Sequence, residues 1–142
     1  MKIAVDFDGT IVEHRYPEIG EEKLFAFDTL RQLQKLGHQL ILWTYRNGKE
    51  LNEAVNYCKK HGIEFYAVNK SYPEEVFDEN EVSRKIDADV FIDDRNIGGF
   101  IGWSEIWQIL NPDSIDSEYN EISGLLNKSN KTVGSRLKKL FK

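Results

Sequence analysis

The chain has 142 residues, 40% of them hydrophobic and 30% charged, with a net charge of −5. That length supports one hydrophobic core, and the composition, with Cys58 as the single cysteine, excludes a fibrous, disordered or disulfide-stapled protein. No apolar run is long enough to span a bilayer, and the first residues lead straight into a strand pattern instead of a cleavable apolar leader, so a cytoplasmic protein with no membrane partner is expected.

Met1 to Val5, with Lys2 its one polar residue, reads as a strand buried on both faces. It breaks off into Asp6-Phe7-Asp8-Gly9-Thr10. In an open α/β sheet the carboxyl ends of the strands are where ligands bind. Extended backbone repeats every two residues, so Asp6 and Asp8 can look into one pocket while Phe7 turns into the core. Two carboxylates that close repel each other unless a cation lies between them or one holds a proton, and Mg2+ suits an all-oxygen pocket. Gly9 lets backbone come close to a ligand, and Thr10 adds a hydroxyl. An isolated Asp-x-Asp would be read as a turn after a strand; the full string behind an apolar run points to a site.

Residues 11–20, with Pro17 and Gly20, read as a loop or short flap. Residues 21–36 carry Leu24, Phe25, Phe27, Leu30, Leu33 and Leu36 at helical spacing, closed by Gly37. A second strand, 39–43, ends in Thr44-Tyr45-Arg46-Asn47-Gly48. A second helix is expected over 49–61, with Leu51, Ala54, Val55 and Cys58 on one face and Gly62 as its stop. A third strand, 63–68, an irregular stretch with Pro73, and a fourth strand, 88–92, follow, the last ending in Asp93-Asp94. Trp103 to Leu110 reads as one or two apolar helical turns.

Strands alternating with helices predict parallel strands joined by right-handed crossovers, hence a three-layer α/β/α sandwich around a central parallel sheet of Rossmann-like type. This core is expected over residues 1–112, with 113–142 as a C-terminal helical extension. From 127 onward the extension carries six bases and no acid, so the body before it is more acidic than the total charge suggests. Nucleic acid is therefore not an expected partner of the core, and the basic tail reads as a solvated segment.

The fold gathers Asp6, Asp8, Thr44, Lys85 on the lead-in to the fourth strand, and Asp93-Asp94 into one cleft. The acids suit Mg2+, while the hydroxyl and the ammonium suit an oxyanion, and a phosphoryl group fits both. In-line attack by Asp6 would form an aspartyl-phosphate for water to hydrolyse, with Asp8 as acid and then base and with Thr44 and Lys85 on the equatorial oxygens. Lys70 is the weaker candidate for the ammonium, and Arg46 and Arg95 are candidate phosphate contacts.

Four motifs in this order resemble the haloacid dehalogenase (HAD) superfamily in its Mg2+-dependent phosphatase branch. Asp6 to Thr10 matches the first, the apolar run plus Thr44 the second, Lys85 the third, and Val90-Phe91-Ile92-Asp93-Asp94 the fourth. The resemblance implies Asp6 as nucleophile and metal ligand, Asp8 as acid/base with its carbonyl on the metal, Asp94 as the third ligand and Asp93 as a support. The choice of Asp93 or Asp94 as direct ligand stays open. Gly9, Thr10, Thr44, Tyr45, Arg46 and Lys85 are the implied substrate contacts. Both connections where the superfamily inserts cap domains are short, which implies a capless member acting on a small or macromolecular phosphorylated substrate; a homo-oligomer is left open. An acid two residues after the nucleophile implies phosphoester hydrolysis. The rival is a phospho-accepting signalling module like a response-regulator receiver, whose phosphorylated Asp follows a later strand.

Overall fold

The computed structural model describes residues 1–113. Its elements are β1 (Lys2–Val5), α1 (Ala26–Lys35), β2 (Gln39–Leu42), α2 (Gly48–Lys60), β3 (Ala67–Val68), β4 (Val90–Ile92) and α3 (Trp103–Leu110). The chain divides into two compact units, Met1–Ser104 and Glu105–Lys142, and the sheet lies wholly in the first. The expected extension and its basic tail, from 114 onward, lie outside the described residues.

The fold is α/β, with four parallel strands in the order β3-β2-β1-β4. Ile3, Ala4 and Val5 of β1 and Leu40, Ile41 and Leu42 of β2 are all buried, as the unbroken apolar runs require of strands covered on both faces. Register puts Ala4, Ile41 and Ala67 in one row on one face, where Ile86 packs against them with Trp43, Tyr66, Ala88 and Phe91 at the margin. On the other face Phe7 sits edge-on to Tyr57 of α2, and Phe27 of α1 stacks on His61 just beyond it, with centroids 4.2 Å apart. The crossovers β1 to β2 and β2 to β3 move the same way along the sheet, and α1 and α2 meet each other through Phe27, Tyr57 and His61. The connection from β3 to β4 then returns across β1 without a helix among the described residues.

Both helices stop where glycine is expected. Gly37 (φ +83°) and Gly62 (φ +82°) take the left-handed position after α1 and α2. In each case the next two amides reach back: His38 N to Leu33 O and Gly37 N to Gln34 O, then Ile63 N to Cys58 O and Gly62 N to Lys59 O. The start of α1 differs from the expectation. Residues 21–23 run back along 11–13 through Glu13 N to Glu21 O and Lys23 N to Ile11 O, and the helix begins only at Ala26, after Phe25 in a left-handed conformation. Burial of Ile11 and Val12 outweighs the helical spacing of Leu24 and Phe25, which are left exposed. Gly20 permits this approach, since a Cβ there would lie 2.0 Å from Glu13 O. The third strand is also shorter than expected, two residues instead of six. No helix among the described residues is long and apolar enough to cross a membrane.

Candidate functional site

With β2 and β3 on one side of β1 and β4 on the other, the strand order reverses between β1 and β4, the place where open α/β sheets bind ligands. Val5 pairs with Ile92, and the ladder goes one step further through Asp6 N to Ile92 O, 2.9 Å. Asp6 therefore leaves the sheet beside Asp93 and Asp94. One carboxylate oxygen from each of the three lies within 4.8 Å of the others.

Thr10 fixes this arrangement. Its buried hydroxyl donates to Asp6 Oδ2 (3.1 Å) and accepts the Asp94 amide (3.0 Å), tying the ends of β1 and β4 together. The Thr10 carbonyl in turn accepts the buried Trp103 indole N–H at 2.8 Å. Gly9, at φ +92°, passes so close to Asp94 that a Cβ would lie 2.2 Å from its Oδ2. Gly9→Ala is expected to cost about 1–3 kcal/mol of stability and to push Asp94 out of the cluster. Thermal unfolding with and without Mg2+ checks this: the variant should melt lower and lose the Mg2+ response, whereas an unchanged response would show that Asp94 keeps its place.

The cluster is electrostatically unsatisfied. Asp94 Oδ1 is buried with no hydrogen-bond partner. Burial, assisted by the charges of Asp93 and Asp94, raises the Asp6 pKa to about 7 against the pull of the Phe7 amide and the Thr10 hydroxyl. A buried orphan oxygen beside two further carboxylates fits a hard divalent cation, which would occupy the lone pairs and remove the repulsion. The folded chain keeps a proton on Asp6 that the unfolded chain releases at about pH 4, so this group's contribution to stability falls as pH rises from about 4 to about 7. Mg2+ should therefore raise the melting temperature more at pH 8 than at pH 5, read by scanning fluorimetry; an equal rise at both would contradict the assignment.

Asp8 has a different environment. Both of its oxygens are held by Arg46, Nε to Oδ2 at 2.6 Å and Nη2 to Oδ1 at 2.7 Å, and both residues are buried. Its carboxylate is outside the Asp6, Asp93, Asp94 group, so only its carbonyl is left for the metal role that the resemblance implies. Thr44 stands at the carboxyl end of β2, its amide donating to Asn69 Oδ1 (2.8 Å) and its hydroxyl accepting the Arg46 amide (3.2 Å). Asn69 takes a left-handed conformation (φ +52°) to do this. Reading the sequence missed it, although an Asn directly after a strand was the available signal.

These residues line a cleft of about 430 Å3 with Asp6, Asp8, His14, Tyr16, Trp43, Thr44, Tyr45, Arg46, Asp93 and Arg95 on its walls. Tyr45 projects almost fully into solvent at its mouth. A conserved protein from Bacteroides thetaiotaomicron has a similar solved structure, with 56% sequence identity and a TM-score of 0.74 over 80% of this chain and 91% of that one. This chain belongs to the same family as that protein. No protein-family model matches the chain, and a search of curated proteins gave no match.

Of the residues singled out from the sequence, Asp6, Asp8, Thr44, Tyr45, Arg46 and Asp93 line the cleft, and Gly9 and Thr10 lie against Asp94. Lys85 is not brought there. It is exposed, with its amide on Ser83 Oγ, and it precedes Asp89, whose amide bonds Lys2 O at the amino end of β1. The residue next to it, Ile86, is the one that turns inward, onto Ala4, Ile41 and Ala67 of the sheet, and Lys85 faces solvent away from the cleft lining. Lys70 donates to the Pro73 carbonyl and does not line the cleft either. The guanidinium groups on the walls are those of Arg46 and Arg95.

Proposed function

We propose that this protein is a cytoplasmic, Mg2+-dependent phosphohydrolase of the HAD type, cleaving phosphate monoesters through an aspartyl-phosphate on Asp6. The observation that carries the reading is the convergence of Asp6, Asp93 and Asp94, with a buried, unpartnered Asp94 oxygen among them. Asp6, Asp94 and Asp93 would hold the ion, with the Asp8 carbonyl. When bound, Mg2+ supplies positive charge that keeps Asp6 ionised near neutral pH and offsets the negative charge of the phosphoryl group.

The remaining work falls to side chains. Thr10 occupies Asp6 Oδ2, which leaves Oδ1 to attack phosphorus in line as the bond to the leaving oxygen breaks. Asp8 hands its proton to that oxygen and, in the second half, takes one from the water that attacks the phosphorus. Arg46 holds both carboxylate oxygens of Asp8 and so fixes where that group stands beside the cleft. Thr44 and Arg95 are the groups available for the equatorial oxygens, with a guanidinium in the role first assigned to the Lys85 ammonium. The three-layer α/β/α architecture without a cap domain belongs to the same reading. The short connections from β1 to α1 and from β2 to α2 support its capless part.

The test is turnover of an aryl phosphate with Mg2+, with EDTA and Asp6→Asn as controls. Multiple turnovers abolished by both are expected. A stable phosphoprotein without turnover, or no Mg2+-dependent chemistry, would overturn the proposal.

A further inference from the structure

Arg46 is 1% exposed, and its guanidinium joins two separate parts of the chain, Asp8 and the segment before Gly20. On one side it grips both oxygens of Asp8. On the other, Nη1 donates to Pro17 O (2.9 Å) and Nη2 to Glu18 O (2.7 Å). The rings of Phe7 and Tyr16 lie 5.0 Å and 5.3 Å from its central carbon. Burying a guanidinium is unfavourable unless its donors are matched, and here four hydrogen bonds and two ring contacts match them. The segment it holds, residues 13–20, is exposed over most of its length and carries His14 and Tyr16 to the cleft wall.

We propose that Arg46 is a positioning residue that couples Asp8 to the 13–20 flap. By holding the Asp8 carboxylate and the Pro17 and Glu18 carbonyls in one planar fork, it fixes the acid/base and the cleft wall beside it as a unit. The catalytic half of this statement rests on the phosphohydrolase reading; the coupling itself does not. Lysine cannot replace the fork: an ammonium keeps the charge but cannot span two carboxylate oxygens and two carbonyls from fixed directions.

Two readouts on wild type, Arg46→Lys, Asp8→Asn and the double variant decide it. The first is steady-state hydrolysis of an aryl phosphate with Mg2+. Arg46→Lys should lower kcat about tenfold or more while moving KM by less than about threefold, because misplacement of a catalytic group acts on the transition state. The double variant should be no slower than Asp8→Asn, since Arg46 acts through Asp8. Multiplying losses, or an unchanged kcat in Arg46→Lys, would overturn the positioning role. The second is the rate of tryptic cleavage at Arg15-Tyr16, which needs no enzymatic activity. Asp8→Asn should speed it several-fold, as Arg46→Lys does, although Asp8 is not part of the flap; cleavage unaffected by Asp8→Asn would overturn the coupling. A wild type that cleaves no phosphate removes the phosphohydrolase reading and the catalytic role with it, and the proteolysis result then decides the coupling alone.

Discussion

Asp6→Asn is expected to lower Mg2+-dependent turnover by about a thousandfold or more and, in the same protein, to raise the melting temperature of the metal-free form above pH 7. The two effects have one origin. Asparagine has nearly the same shape, so the Thr10 hydroxyl keeps an acceptor and the β1–β4 junction keeps its geometry. What disappears is a buried negative charge beside Asp93 and Asp94, whose burial and like-charge neighbours already push its pKa to about 7. An amide there can donate to those carboxylates instead of repelling them. On the proposed mechanism the nucleophile is lost at the same time. A residue that stabilises the fold when removed and abolishes activity is one retained for chemistry. Parallel activity and melting measurements at pH 8 check both signs; a variant that is both active and less stable would show that Asp6 serves the fold.

Arg46→Ala has the largest expected effect on folding. It leaves the Asp8 carboxylate buried without its cation, and it strips the Pro17 and Glu18 carbonyls of their donors. Removing one partner of a buried, doubly hydrogen-bonded ion pair costs about 3–5 kcal/mol, a large share of the total stability of about 5–15 kcal/mol expected of a domain. Chemical denaturation should show this loss with little change in the denaturant slope. The double variant Arg46→Ala with Asp8→Asn should recover part of it, because the orphaned charge is then gone. A loss under about 1 kcal/mol would mean that solvent already reaches the pair.

The part of the site that could be read from sequence is the part that topology dictates. Carboxyl ends of parallel strands share an edge, so Asp6, Thr44 and Asp93-Asp94 could be placed together without knowing which strands pair. The orphan oxygen of Asp94 and the bridging of Asp6 to Asp94 by Thr10 depend on the register of β1 against β4, to which the apolar runs are indifferent. The Asp8–Arg46 pair was out of reach for a related reason: it needs the path of the loop after Thr44 and the return of residues 13–20. Gly37 and Gly62 marked the helix ends because a left-handed stop has few substitutes. The start of α1 was misread because the spacing of Leu24 and Phe25 is helical, while the backbone bonds of residues 21–23 to 11–13 decide otherwise. Lys85 shows that proximity to a strand in sequence does not say whether a side chain reaches the cleft.

The proposed chemistry requires phosphorus to become covalently attached to one carboxylate. Incubating the protein with Mg2+ and a phosphate monoester, quenching in acid, reducing with borohydride and sequencing the peptide by mass spectrometry reads that directly. Conversion of residue 6 to homoserine, absent when Mg2+ is chelated, is the predicted result; turnover with Asp6 unmodified and another residue labelled would contradict it.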